Sequence, residues 1–127
     1  MKSGIINLTM ANWKYITSTE DISRLEEISK QKPVIIFKNS TRCSISHASL
    51  SDFERDLQSS DAFNAELYML DVVAYRPVSL KIAEHFAINH QSPQLLLIVD
   101  GKCIYHNSHF GISLRDVKQK IDEKSLD

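Results

Sequence analysis

The stretch Val34-Ile35-Ile36-Phe37-Lys38-Asn39-Ser40-Thr41-Arg42-Cys43-Ser44-Ile45-Ser46 joins a strongly apolar run to a cysteine. Its first four residues are β-branched or aromatic, which is typical of a strand buried on both faces. Polar residues 38–42 predict a loop, and helical spacing of apolar residues follows from Ser44 to Leu57. Cys43 is therefore predicted to lie between the carboxyl end of a strand and the first turn of a helix.

The same kinds of signal predict elements on either side of this stretch. Hydroxyl and acidic residues at 18–21 predict a helix start, and Asp100-Gly101 predicts a tight hairpin turn. The buried side of the helix after Cys43 is expected to carry Ile45, Ala48 and Phe53, with Leu57. The predicted elements are, in order, a helix from residue 18, a strand at 34–37, a helix at 44–57, a strand at 67–73, a helix from Pro77, strands at 95–99 and 102–106, and a helix from Leu114.

This order predicts the fold class. A βαβ unit followed by a ββα unit is the plan of the thioredoxin-like α/β fold. We expect a central four-stranded mixed sheet flanked by helices, with one extra helix at the N-terminus. The length of 127 residues, without repeats or linkers, predicts a single domain over residues 1–127.

Composition excludes several classes of function. A formal net charge of -1 does not point to nucleic acid or to an anionic membrane as a partner. Met1–Trp13 has no continuous apolar segment, and the longest apolar run, Leu95–Val99, is too short to cross a bilayer. The two cysteines and five histidines lack metal-ligand spacing. We therefore expect a cytoplasmic protein with reduced thiols and no metal.

Cys43 is the predicted nucleophile. The start of a helix favours the thiolate form of a cysteine, and Arg42 and Lys38 add positive potential if their side chains point inward. The neighbouring residues are polar, which argues against a cysteine buried in the core. In the Cys43-Ser44-Ile45-Ser46 motif, Ser46 stands where a Cys-x-x-Cys protein has its resolving cysteine. A Ser46 hydroxyl can donate a hydrogen bond to a thiolate but cannot attack a disulfide, so a monothiol mechanism follows.

Ser92-Pro93 is the second anchor of the predicted site. In thioredoxin-like folds a cis-proline precedes the third strand and lies beside the nucleophile, where its backbone binds substrate. Ser92 and Pro93 are therefore predicted to contact substrate. A strand that leaves Pro93 at about 3.3 Å per residue carries Cys103 to the far end of the sheet, where it cannot pair with Cys43.

Three further residues keep more than one interpretation each. Arg76, after the second predicted strand, either holds a substrate carboxylate or is a solvated or capping residue. His109 returns toward Cys43 and either polarises a thiol, binds substrate or lies in an exposed loop. His47, one turn past Cys43, either modulates the thiol or is an ordinary surface residue.

Together these segments resemble the bacilliredoxin-type family, the monothiol thioredoxin-like proteins of the bacillithiol system. The resemblance covers residues 13–124 and rests on 37–46, Arg76-Pro77, 90–94 and 106–109. Family members typically have Thr-Cys-Pro-Ile-Ser at the active site, and here Arg42 and Ser44 replace the threonine and the proline.

The resemblance implies removal of bacillithiol, a cysteine–glucosamine–malate thiol, from oxidised proteins. It implies S-thiolated proteins as partners, bacillithiol as co-substrate and no bound cofactor. The malate carboxylates would be bound by Arg42, Lys38 or Arg76.

Two other functions remain open. A glutathione-dependent monothiol glutaredoxin is disfavoured, because the chain lacks a Cys-Gly-Phe-Ser motif and a Gly-Gly pair after Pro93. A non-catalytic adaptor or stress protein with the same fold is not excluded, because fold does not determine function. The missing second cysteine disfavours a thioredoxin-like reductase that acts alone.

Overall fold

Five strands form one mixed sheet in the computed structural model of the chain, which describes residues 12–61 and 63–125. The elements are β1 (Lys14–Tyr15), α1 (Glu20–Ile28), β2 (Val34–Asn39), α2 (Ser44–Ser59), β3 (Glu66–Asp71), α3 (Arg76–Phe86), β4 (Gln94–Val99), β5 (Lys102–Ser108), a 3-10 turn (His109–Gly111) and α4 (Leu114–Ser125). The strand order is β1-β3-β2-β4-β5. The first three of these run parallel, and β4 is antiparallel to both of its neighbours. The predicted thioredoxin-like fold, with its additional N-terminal helix, is confirmed; most of the segment Met1–Trp13 lies outside the described residues.

The sheet has one strand more than the four predicted. Strand β1 pairs Lys14 with Tyr68 and Tyr15 with Met69 at the sheet edge. Its two residues are exposed, so they form neither an apolar run nor a measurable alternation. The pairing continues through the backbone N–H of Ile16, which donates to the Met69 carbonyl at 3.0 Å.

Strand β2 lies at the centre of the sheet, and every residue of it is buried. Its side chains alternate between the two faces, as the strand period requires. Ile36 belongs to the core beneath α1 and α3, whereas Phe37 belongs to the core beneath α2 and α4. The ring centroids of Phe37 and Phe53 are 5.7 Å apart, with the ring planes at 46°. The strand also continues through Lys38 and Asn39, which the sequence placed in a loop, because both residues keep their ladder partners in β3.

Helix α2 turns a different side inward from the one predicted. Phe53 is buried as expected, but Ile45 is 40% exposed and Ala48 is also exposed. Ser46 and Ser49 are buried in their place. Each of these serines has a backbone partner that offsets the cost of burying its hydroxyl, and the Ser49 hydroxyl donates to the His109 carbonyl at 2.8 Å.

Candidate active site

Cys43 is the N-cap residue of α2. Its backbone is extended, with φ -117° and ψ 123°. Its N–H donates to the Ser40 carbonyl at 3.2 Å, and its carbonyl accepts from the N–H of His47 at 3.2 Å. The first turn of α2 carries no acidic residue, so no side-chain anion competes there with a thiolate for the positive end of the helix.

The half-buried thiol of Cys43 opens onto a cleft of about 460 Å³. The cleft lies where the loop after β2, the start of α3 and the segment before β4 meet. Arg42 and Arg76, both exposed, bring two guanidinium groups to it. Among the described residues, none of those that line this cleft is acidic. The cleft is therefore suited to an anionic ligand.

The cleft is also lined by Ser92, directly before a cis peptide bond to Pro93. Pro93 is buried, and its carbonyl accepts the His109 N–H at 3.0 Å. The Ser92 Oγ is buried and has no hydrogen-bond partner among the described residues. The structure thus brings Ser92 to the same cleft as Cys43 and gives Pro93 the cis bond that its place in the sequence predicts.

Ser46 lies one turn after Cys43 and is fully buried. Its Oγ accepts a hydrogen bond from the N–H of Ser40 at 3.1 Å. The described part of the chain has no hydrogen bond between the Ser46 hydroxyl and the Cys43 thiol; the partner of the hydroxyl is the loop backbone at Ser40. Ser46 therefore fastens the loop that carries the nucleophile.

Cys103 is at the other end of the sheet. It pairs with Ile98 on β4, and Ile98 in turn pairs with Val34, the first residue of β2. Its thiol is half-buried and donates to the Tyr105 carbonyl at 3.3 Å. Burial raises the pKa of the Cys103 thiol to about 11. The predicted distal placement is confirmed, and both cysteines are free.

This arrangement of a helix-capping thiol, a cis-proline and no nearby second thiol agrees with a family comparison. The family model of the monothiol bacilliredoxin BrxC matches residues 14–117. The chain belongs to this family.

Solved structures with a thioredoxin fold are similar to this chain. One similar structure is a putative oxidoreductase with a thioredoxin fold, which is 27% identical, covers 84% of this chain and 90% of its own, and has a TM-score of 0.68. The thioredoxin of Malassezia sympodialis is 15% identical, with coverage of 88% and 90% and a TM-score of 0.66. That of Trypanosoma brucei brucei is 11% identical over 100% of both chains, with a TM-score of 0.66. The two thioredoxins have the same fold as this chain. The family match and the similarity to the oxidoreductase structure together support a thiol–disulfide redox function.

In this bacilliredoxin, α2 begins at Ser44 although the family's typical proline is absent. The side chain that replaces the typical threonine, Arg42, lines the cleft. The two departures from the family pattern therefore leave the helix start in place and add a cation beside the nucleophile.

Lys38 does not lie in the cleft, although the sequence made it a candidate for binding a carboxylate. Its side chain is fully buried, because strand alternation turns it to the α3 side of the sheet. The Nζ donates to the Ser79 carbonyl at 3.1 Å and lies 3.3 Å from His90 Nδ1. Burial lowers the pKa of Lys38 from 10.5 to about 8. Lys38 thus lies behind the site and not on its surface.

His90 is the residue of the site that sequence reasoning missed. It lines the cleft with Cys43, and its Nδ1 lies 3.3 Å from both Lys38 Nζ and Ser79 Oγ. Burial lowers the pKa of His90, and the positive charges of Lys38 and Arg76 lower it further. His90 has no metal-ligand spacing in the sequence, and its position three residues before Pro93 is the signal that identifies it with the site.

The two histidines that the sequence made candidates, His47 and His109, do not line the cleft. The His109 backbone reaches the Cys43 end of the sheet, as predicted, but the side chain is exposed and does not line the cleft. His47 Nε2 lies 3.3 Å from the carbonyl oxygen of Thr41. His47 therefore contacts the loop before the nucleophile.

Residues 12–61 and 63–125 contain no group of three or more His, Cys, Asp or Glu that could hold a metal ion. No helix in these ranges has the length and apolar character needed to cross a membrane.

Proposed function

We propose that this bacilliredoxin removes a low-molecular-weight thiol from protein mixed disulfides through Cys43, with bacillithiol as the co-substrate. The observation that carries the proposal is the cleft itself. It combines one thiol at a helix start with the guanidinium groups of Arg42 and Arg76, and the chain's other thiol, Cys103, is at the opposite end of the sheet.

The reaction takes place in two exchanges. The Cys43 thiolate attacks the small-thiol sulfur of the mixed disulfide, the substrate disulfide breaks, and the protein leaves as a thiolate. A second small-thiol anion then attacks the small-thiol sulfur on Cys43, and the Cys43 thiolate leaves. The products are a reduced protein and a symmetrical disulfide of the small thiol. The second anion has to come from solution because Cys103 cannot reach the adduct.

The cleft chemistry supports bacillithiol among small thiols. Its malate carboxylates are groups that a guanidinium binds with two parallel hydrogen bonds. Arg42 and Arg76 supply two such partners, and Val72 and Val73 form an apolar wall beside them. Ser40 adds a hydroxyl group for the sugar.

The cytoplasm is the compartment that we propose for this reaction. Both cysteines are free, and thiols persist in that reducing environment. S-thiolated proteins are the proposed partners.

Mass spectrometry tests the proposal directly. The reduced protein is mixed with a bacillithiol-modified substrate protein, and the mass of each chain is followed. We expect the substrate to lose one bacillithiol and Cys43 to gain it. Cys43→Ser should abolish the transfer, and Cys103→Ser is the matched control that should leave it nearly unchanged.

Specificity is tested by the same assay with other small thiols. Arg42→Gln and Arg76→Gln should slow transfer of bacillithiol more than transfer of cysteamine, which has no carboxylate. Transfer of glutathione at the same rate as bacillithiol would favour a glutaredoxin-type function. No transfer of any thiol would favour the adaptor and refute the proposal.

A further inference from the structure

A buried cluster of polar groups lies behind the cleft. Lys38 reaches it from β2, Ser79 from α3 and His90 from the segment before β4. The Lys38 Nζ is 3.1 Å from the Ser79 carbonyl oxygen and 3.3 Å from His90 Nδ1. Lys38 and Ser79 are fully buried, whereas His90 is partly exposed and lines the cleft. The cluster therefore connects the interior to the active site through one imidazole ring.

The ammonium group of Lys38 has no carboxylate partner among residues 12–61 and 63–125. An isolated buried charge is costly, and here it is offset only by hydrogen bonds to neutral groups. Gln94, the cross-strand neighbour of Lys38, is also buried, and its Oε1 has no hydrogen-bond partner in the described chain. A structural role in the core would be served better by an apolar residue of similar length.

The hydrogen-bond partners assign the tautomer of His90. An ammonium group has only donors, so Nδ1 accepts from Lys38 and Nε2 carries the ring proton. Besides Lys38, the surroundings of this ring contain two charged side chains, Arg76 from α3 and Arg42 from the loop after β2, together with the titratable thiol of Cys43. The positive charges of the two guanidinium groups and of Lys38 favour the neutral form of the imidazole ring. Because Nδ1 is occupied by Lys38, Nε2–H is the polar group of the ring that is left for the cleft.

We propose that Lys38 and His90 form a proton relay that protonates the thiolate released in the cleft. The inference rests on the proposed function. The leaving thiolate takes the proton from Nε2, the Lys38 ammonium passes a proton to Nδ1, and Lys38 becomes a neutral amine. One negative and one positive charge disappear, the ring stays neutral, and the released protein thiol cannot attack the new disulfide while it is protonated. The reverse transfer reloads the relay from the next incoming thiol, which reacts as its thiolate.

The proton affinities of the two ends match. The pKa of Lys38 is about 8 because of burial, and an ordinary cysteine thiol has a pKa of about 8.5. A lysine in water would hold its proton too strongly to donate to such a thiolate. An arginine at position 38 would hold it more strongly still.

Leaving groups of different basicity test the relay. Two disulfides of the same small thiol are compared, one with a cysteine peptide and one with 2-nitro-5-thiobenzoate, which leaves as a stable anion and needs no proton. At pH 7, Lys38→Met and His90→Phe should each slow release of the peptide about 10-fold. This factor is smaller than the rate effect that a general acid usually has, because thiolates are good leaving groups. Release of the nitrothiobenzoate should be slowed much less than release of the peptide in both variants.

Further variants separate proton donation from charge and from folding. Lys38→Arg keeps the charge and should be as slow as Lys38→Met. Lys81→Met and His85→Phe make the same chemical changes at exposed positions of α3 and should react like the unmodified protein. The advantage of the unmodified protein over Lys38→Met should also decline as pH rises through about 8.

Three results would overturn the relay. Equal slowing with both leaving groups would mean that Lys38 and His90 only shape the site. Full activity in Lys38→Arg would mean that the charge at position 38 is sufficient. Unchanged rates in Lys38→Met would mean that Lys38 has no role in the reaction. A long-range ¹H–¹⁵N spectrum that places the His90 proton on Nδ1 would refute the tautomer without any activity measurement. If the unmodified protein reacts with neither disulfide, the proposed function itself fails, which is a distinguishable outcome.

Discussion

Replacing Lys38 with methionine should change how the stability of the protein depends on pH. In the unfolded chain the pKa of Lys38 is about 10.5, and burial lowers it to about 8 in the folded protein. Between these values the unfolded chain binds more protons, so the free energy of unfolding rises with pH. The cost of burying the charge is fully present below pH 8 and is lost as pH approaches 10.5.

The magnitude follows from the same two values. Each unit between the folded and unfolded pKa corresponds to about 1.4 kcal/mol, so the full interval from about 8 to 10.5 corresponds to about 3.5 kcal/mol. The free energy of unfolding of the unmodified protein, minus that of Lys38→Met, should increase by about 3 kcal/mol from pH 7 to pH 10.5, because the lysine of the unfolded chain is only half titrated at the upper pH.

Urea unfolding at several pH values measures this difference, with the fluorescence of Trp13, the chain's single tryptophan, as the probe. The subtraction removes the contributions of the titrating groups that do not interact with Lys38, and the pKa of His90, which does interact with it, lies below this pH range. A difference that stays flat over this range, or that falls, would refute the conclusion that Lys38 is charged and buried at neutral pH.

Three further predictions concern the rest of the molecule. Iodoacetamide at pH 8 should alkylate Cys43 and leave Cys103 unmodified in the folded protein, because the pKa of Cys103 is about 11; peptide mass spectrometry that finds equal labelling before unfolding would contradict its burial. Phe37→Ala should lower the free energy of unfolding by about 3–5 kcal/mol, since this fully buried ring joins the core beneath α2 and α4; a loss below about 1 kcal/mol in urea would contradict that packing. Ser29→Ala should cost about 1–2 kcal/mol, because the Ser29 Oγ accepts the Gly101 N–H at 2.8 Å; unchanged thermal unfolding would mean that this bond contributes nothing.

The parts of the fold that the sequence predicted are those with strong local signals. The four apolar residues Val34–Phe37 need cover on both faces, which allows only a central strand. Asp100 and Gly101 have φ values of 55° and 78°, the left-handed conformations that a two-residue hairpin requires and that this residue pair tolerates. Strand β1 was not predictable in this way, because two exposed residues carry no period and their pairing depends on β3.

The site was predictable where a residue lies beside an element that has a strong local signal. Cys43 follows a predicted buried strand, and Ser92 precedes a proline and a second such strand. Lys38 and His90 were not found as a pair, because neither has such a signal for burial and 52 positions separate them. Their contact exists only once β2 and the segment before β4 are brought together across α3. A lysine after a buried strand also looks like the start of a loop, since burial of its charge depends on partners that the local sequence does not contain.

The hydrogen bond between the Ser46 Oγ and the Ser40 N–H bears on how this protein could acquire two-thiol chemistry. A Ser46→Cys change would exchange one atom and produce the Cys-x-x-Cys spacing of a dithiol enzyme. Sulfur is larger than oxygen and a weak hydrogen-bond acceptor, so the same exchange would loosen the loop that carries Cys43. The substitution that adds a second thiol at position 46 would thus also displace Cys43. An evolutionary or engineered route to a dithiol enzyme would need a compensating change in the loop at residues 40–42 before the new cysteine could be of use.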